Sequence, residues 1–209
     1  MDDKSVIRAF DTINQMLIDR KTIKEEDRKT LAENKDRESI SCETIGDVHV
    51  MFYLHNKFTT KDFSPSWEGG FENTVKKSAN PHLIFVYKDK FTTANEKTLR
   101  TKVQDKDKDK DKDKDKNKVK IETFCIKNLL FNITKHELVP KHELLDLEEA
   151  KKIYDRYSIK DNQKVLKLPL LITKTDPVAK YYDFKHKDLV KITRPSSSIG
   201  EAISYRYCV

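Results

Sequence analysis

Residues 81–87, PHLIFVY, form a short, continuous apolar run introduced by a proline. Such a run reads as a strand at the centre of a sheet. Working outward, VHVMFYLH (48–55) alternates, with Val48, Val50, Phe52 and Leu54 on one face, and predicts a half-buried strand. The segment between, FTTKDFSPSWEGG (58–70), is rich in turn formers. Downstream, IETFCI (121–126) and LLFNIT (129–134) predict two more strands. Near the start, Val6, Ile7, Phe10, Ile13 and Leu17 make one stripe of an amphipathic helix that Asp3 or Ser5 can cap. The polar stretch 21–39 offers little to bury. Strands mixed with a helix predict an α/β (α+β) unit over residues 1–134, with a small mixed sheet.

Residues 135–209 carry denser local signals. Asp146 with Glu149 resembles a capping box, and Leu147, Ala150, Ile153, Tyr154 and Tyr157 supply the helical stripe after it. Asp176 then Pro177 opens a second helix, with the proline where its missing N–H costs nothing. LVKIT (189–193) and AISYRYCV (202–209) read as a closing hairpin around Pro195, three serines and Gly200. The expectation is a two-layer α/β unit, small but near the size that folds alone.

Charge bounds the partners. The 209 residues carry a net +7, and Lys outnumbers Arg 34 to 8. A basic balance suits an acidic partner such as nucleic acid, although a lysine bias of this kind also follows from an AT-rich genome. The run DKDKDKDKDKDKNK (105–118) holds seven Lys against six Asp, so it contributes almost none of the excess. Alternating signs cancel beyond a Debye length, and with no apolar residue to bury the run predicts a disordered loop insert. No apolar run is long enough for a membrane span, and MDDKSVIRAF lacks a signal-peptide pattern; the expectation is a soluble, unsecreted chain. Cys42, Cys125 and Cys208 are scattered, indicating neither a disulfide framework nor a zinc site.

Chemistry-bearing patterns are sparse. Four glycines leave little room for a phosphate-cradling loop. His136 and His142 stand six apart in KHEL-VP-KHEL (135–144), about 240° apart on a helix, and Pro140 interrupts a strand. No shared metal is expected, and Leu138, Val139 and Pro140 are expected to pack on the core. A metal-dependent nuclease would need carboxylates near a lysine around the sheet. Asp47 and Asp89 are the candidates, while Asp183 and Lys185 have the spacing but lie in the other unit. A stronger cluster follows the central strand: Lys88, Lys90, Thr92, Thr93, Asn95 and Lys97, then Arg100 and Lys102. Cations interleaved with hydroxyls and an amide suit sequence-independent phosphate contacts, diluted by Asp89 and Glu96.

HELVPKH (136–142), DPVAKYY (176–182), LVKITRPS (189–196) and Gly200 followed by SYR (204–206) occur in this order. Together they closely resemble the fifth-largest subunit shared by eukaryotic RNA polymerases I, II and III, whose C-terminal domain corresponds to a small subunit of the archaeal polymerase. The resemblance is weaker but collinear over 1–134, through IRAFDTINQMLIDR (7–20) and HLIFVY. It implies a non-catalytic subunit with no cofactor and no small-molecule substrate. The C-terminal domain would dock on the largest subunit, and the N-terminal domain would form a jaw beside downstream double-stranded DNA. Lys88, Lys90, Thr92, Thr93, Asn95 and Lys97 are then the DNA-proximal candidates, the family's loop here lacking its proline. His136, Pro140, His142, Asp176, Pro177, Val178, Tyr181, Arg194, Pro195, Ser196, Tyr205 and Arg206 are the candidates for shaping the docking surface. Departures from the family are Lys187 where it usually has Gly, Leu170 where it has Arg, an insertion including KVLK (164–167), and a jaw trimmed around 35–47. The lysine bias, the trimmed jaw and the charged insert at 105–118 suit a divergent lineage, a large cytoplasmic DNA virus or an AT-rich protist, hence virion and viral factory, or nucleus. A free-standing basic DNA-binding module and the nuclease are the alternatives.

Overall fold

The computed structural model describes residues 3–32, 39–78, 81–104 and 119–209. The charged run at 105–118 lies outside them, as do residues 33–38 within the stretch expected to be trimmed. The chain divides into two compact units, Met1–Phe131 and Asn132–Val209.

The first unit opens with helix α1 (Asp3–Asp19), which buries Val6, Phe10, Ile13 and Leu17 as its stripe predicts. Strands β1 (Ile40–Ile45) and β2 (Val48–Tyr53) form a hairpin whose tight turn begins at Gly46, φ +56°, a conformation that favours glycine. The sequence pattern predicts no strand at β1, because ISCETI alternates weakly and is only half buried as an edge. FTTKDFSPSWEGG, which reads as turns, is helical. Helix α2 (Thr60–Ser66) runs through a π-turn (Trp67–Phe71) into α3 (Glu72–Lys77). Thr59 caps α2 by accepting from the Asp62 amide, and Phe63, Trp67 and Val75 are buried. Burial of those aromatic side chains overrides the turn propensity of Pro65 and the glycines.

Strand β3 (His82–Tyr87) is the central strand predicted, followed by α4 (Thr93–Gln104) and β4 (Lys120–Cys125). The sheet order is β1-β2-β3-β4, with β1/β2 antiparallel and β2/β3 and β3/β4 parallel. All six residues of β2 are buried, which corrects the half-buried reading. The reason is two-sided cover. Phe10 of α1 lies 6.3 Å from Phe52 on one face, while Phe58, Phe63, Trp67, Leu99 and Val103 pack with Met51, Tyr53 and Phe85 on the other. LLFNIT is not a strand; 3₁₀ turns occupy Ile126–Leu129 and Ile133–Lys135. There the Asn132 carboxamide oxygen accepts from the Thr134 amide at 2.9 Å and its hydroxyl at 2.6 Å, which replaces strand pairing with a local turn.

The second unit contains β5 (Lys141–Leu144), α5 (Leu147–Arg156), α6 (Lys164–Lys167), β6 (Leu170–Leu171), α7 (Pro177–Tyr182), β7 (Leu189–Ser196) and β8 (Gly200–Cys208). Its sheet runs β5-β7-β8-β6, with β7 and β8 forming the expected hairpin. Both predicted caps are present. The Asp146 carboxylate accepts from Glu149 N at 2.8 Å, and that of Asp176 accepts from Val178 N and Ala179 N at 2.9 and 2.8 Å. The α5 stripe is only partly inward: Ala150 is buried, but Leu147 and Tyr157 are exposed. Leu138, expected to pack on the core, is 84% exposed. The apolar core is instead Leu171, Ala179, Phe184, Val190, Ile192 and Cys208, under α7.

Lys187, standing where the resemblance expects glycine, has φ +78° while its amide donates to Cys208 O at 3.0 Å. An L side chain is strained there, and glycine keeps the hydrogen bond. Lys187→Gly is expected to stabilise the fold by about 0.5–1 kcal/mol, after the larger chain entropy of an unfolded glycine is deducted. A denaturant titration of the full chain measures it; a loss of stability would show that the turn carries no strain.

Candidate functional site

The carboxyl ends of the parallel strands gather the first candidate surface. Because β2 pairs with β3 in parallel, with Tyr53 opposite Tyr87, the segments after both strands emerge at one edge of the sheet. Lys57 and Lys90 form a bridge there, and Lys88 Nζ donates to Asn56 Oδ1 at 2.7 Å. Phe91 anchors the segment, stacked on Tyr87 at 4.9 Å and edge-on to Phe58 at 5.4 Å. Thr92 to Asn95 is not a free loop but the start of α4: Thr92 Oγ1 accepts from Asn95 N and Thr92 O from Glu96 N. Thr92 thus caps the start of α4. Lys97, one turn into α4, is exposed.

The two acidic residues in this stretch are answered locally. Asp89 receives Lys127 Nζ at 3.0 Å, and this hydrogen bond and charge hold its carboxyl below the usual range. Glu96 pairs with Arg100 at 2.8 Å, four residues on in α4. Sequence reasoning missed Lys57 and Lys127, because only parallel pairing brings the ends of β2, β3 and β4 together. Reading 58–77 as a helical crossover would have found Lys57, and reading 93–104 as a second one would have found Lys127.

Asp47 and Asp89 do not form a joint site. Asp47 precedes β2 and Asp89 follows the parallel β3, so they lie at opposite ends of the strands. No group of three or more His, Cys, Asp or Glu is arranged to hold a metal among the described residues. Burial pushes the thiols of Cys42 and Cys208 up to about 12, so neither offers a thiolate at neutral pH.

In the second unit the register sorts the remaining candidates onto two faces. His142 pairs with Ile192, Ile192 with Ser204, and Val190 with Arg206, so His142, Arg194, Ser196 and Arg206 share the face covered by α7. Pro195 and Tyr205 lie on the other face, with Tyr205 edge-on at 6.4 Å to Tyr157, which caps the C-terminal end of α5. The His142 Nδ1 lies 2.7 Å from Pro140 O. A carbonyl only accepts, so Nδ1 carries the proton. Burial first, then the fields of Arg206 and Arg194, lower the His142 pKa against the opposing pull of Pro140 O and Asp176. His136 stays apart, exposed, with its Nδ1 accepting from Leu138 N.

Asp176 and Pro177 begin α7, while Val178 and Tyr181 are buried and shape the surface from beneath. Tyr181 Oη accepts from Asn132 Nδ2 at 2.8 Å. Among the described residues, ten of the eleven exposed large hydrophobic side chains belong to this unit, including Leu144, Leu147, Leu166 and Ile203. They stand on both faces of its sheet, Leu144 opposite Val190 on the α7 face and Ile203 opposite Thr193 on the other.

Comparison with known proteins bears on this unit. The family model described as RNA polymerase Rpb5, C-terminal domain, matches residues 131–208. Over 89 residues, 43% of this chain and 43% of the relative, the sequence is 47% identical to the DNA-directed RNA polymerases I, II, and III subunit rpabc1 of Dictyostelium discoideum. Over 89 residues it is 43% identical to the subunit RPABC1 of Caenorhabditis elegans and that of Caenorhabditis briggsae, covering 40% of each. The match thus spans less than half the length of these relatives.

Proposed function

Residues 131–208 being an Rpb5-type C-terminal domain, we propose that this chain is a non-catalytic subunit of a multisubunit DNA-dependent RNA polymerase. The observation that carries the reading is the coincidence of that domain with the exposed apolar surface of the second unit. That unit docks on the largest subunit, and burial of its exposed leucines and isoleucines drives the association. The first unit is a jaw near the downstream duplex. Its basic edge, Lys57, Lys88, Lys90, Thr92, Thr93, Asn95 and Lys97, adds salt-dependent contacts that do not read sequence. The compartment follows the lineage: nucleus in a cell, virion and cytoplasmic factory in a large DNA virus.

Purification of the tagged full chain from its native source tests the proposal. The expected result is co-purification with the two largest polymerase polypeptides and the transcription activity they carry. Their absence would sink the subunit reading. The basic edge also admits a free-standing DNA-binding module, which would bind duplex tightly by itself at moderate salt. A jaw subunit binds weakly until it is assembled.

A further inference from the structure

The same face of the second sheet holds two guanidiniums with no carboxylate assigned to them. Arg194 is exposed and Arg206 half-buried, and neither is in an ion pair among the described residues. The register sets Arg206 beside Val190 and Arg194 four residues further along β7, so their backbone positions lie roughly 13 Å apart. Ile192 and Ser204 lie between them, and His142, opposite Ile192, stands on β5, on the far side of β7 from Arg206. Its pKa is lowered, chiefly by burial, so the ring adds little charge to this face at pH 7.

Asp176, whose charge acts on His142 on this face, caps α7 through Oδ1. Its carboxylate accepts from Val178 N and Ala179 N, satisfying the start of α7 and leaving those amides nothing to offer an anion. On the opposite face of the sheet Glu143 pairs with both Lys141 and Lys191, and Glu201, opposite Pro195, also acts on Lys141, so two acids answer the two lysines. The positive charge on the α7 face is therefore free for an external partner.

We propose that Arg194 and Arg206 are a receptor for two carboxylate side chains on an extended, partly apolar segment of the partner subunit. The proposal rests on the subunit reading above and names the chemistry of the docking segment. A protein segment fits better than nucleic acid because the arginines border apolar surface. Leu144 shares their face and is 54% exposed, and Pro177 is exposed at the start of α7. Arg beside exposed leucine is the composition of a protein interface, whereas nucleic-acid surfaces are basic and poor in apolar contact. The fork of each guanidinium accepts a carboxylate through two parallel N–H bonds, which fixes the register of the segment as well as its charge. In an extended segment, acidic side chains two to four residues apart span the two arginines.

The test uses the tagged full chain, purified from its native source as wild type, Arg194→Gln, the double Gln variant and the double Lys variant. Thermal melts confirm folding, and the exposed position of Arg194 keeps its single variant informative if the double Gln variant unfolds. The readout is the ratio of the two largest polymerase polypeptides to the tagged chain after low- and high-salt washes. The double Gln variant is expected to lose association roughly 30-fold, with an intermediate loss for the double Lys variant, which keeps charge but not the fork. If wild type retrieves the large polypeptides and the folded Gln variants do so equally well, the carboxylate receptor is wrong while the subunit reading survives. If nuclease treatment releases the complex as fully as the Gln changes do, the site binds nucleic acid and the proposal falls. If wild type retrieves no large polypeptides, the subunit reading and this inference fall together.

Discussion

Changing Glu122 to Ala is expected to destabilise the first unit by about 3–5 kcal/mol. Glu122 sits on β4 with its side chain 12% exposed and accepts both guanidinium N–H groups of Arg20 at 2.9 Å each. His82 Nε2 lies 2.8 Å from the same carboxylate, and Lys120 Nζ 2.9 Å. Arg20 is itself only 4% exposed, so losing Glu122 removes the carboxylate against which its guanidinium is buried. Burial by itself would raise the Glu122 pKa, but the bonds from His82 and Arg20 overcome it and hold the carboxyl far below the usual range. A depressed folded pKa stabilises above the unfolded value, and that stability is lost as pH falls from there toward the folded value. Wild type should therefore lose stability steeply below about pH 4–5, and Glu122→Ala should show a flatter acid limb. Trp67, the sole tryptophan and a core residue of this unit, reports the transition by fluorescence. A variant within about 1 kcal/mol of wild type at pH 7 would mean that the network is offset by its own desolvation. Replacing Arg20 and Glu122 together by methionines should cost less than Glu122→Ala, because the buried guanidinium is removed with its carboxylate and only Lys120, partly exposed, and His82 lose a partner.

The second large effect concerns the basic edge. On the proposed role, changing Lys88, Lys90 and Lys97 to Gln in the assembled polymerase should make the log–log salt dependence of downstream duplex binding shallower by about 2 to 3. Each lysine–phosphate pairing that is removed takes about 0.9 from that slope. Adding Lys57→Gln should remove about one more, a contribution assigned from the bridge between Lys57 and Lys90. The acids within the segment do not blunt the effect as their sequence positions suggest, since Lys127 and Arg100 already answer Asp89 and Glu96. Measuring duplex affinity across a salt series checks this. An unchanged slope for the triple variant would remove these lysines from the DNA path and leave docking untouched.

Much of the architecture is legible because its signals are local. Val6, Phe10, Ile13 and Leu17 declare α1, the apolar run at 82–87 declares the central strand, and Asp146 and Asp176 declare two helix starts. Lys187 reads as a side chain on a turn made for glycine, and its φ of +78° is that turn. The failures have a common cause. FTTKDFSPSWEGG reads as turns until Phe63 and Trp67 find the sheet, and LLFNIT reads as a strand until the Asn132 side chain takes the Thr134 amide. At the candidate sites, the residue types are visible and their grouping is not. His142, Arg194 and Arg206 are scattered across 65 residues of sequence and meet only through the register of β5, β7 and β8.

By itself the sequence determined the caps at Asp146 and Asp176, the β7–β8 turn, the amphipathic helix and the central strand. Each is written in residues a few positions apart, where backbone geometry and short-range hydrogen bonding decide the outcome. Only the tertiary structure decided that β2, β3 and β4 run parallel and bring Lys57, Lys88 and Lys90 to one edge. It also decided that Arg20 reaches Glu122 across 102 residues, and which side chains of the second unit remain uncovered. Those features depend on strand pairing and burial, whose free energy appears only when distant segments leave water together.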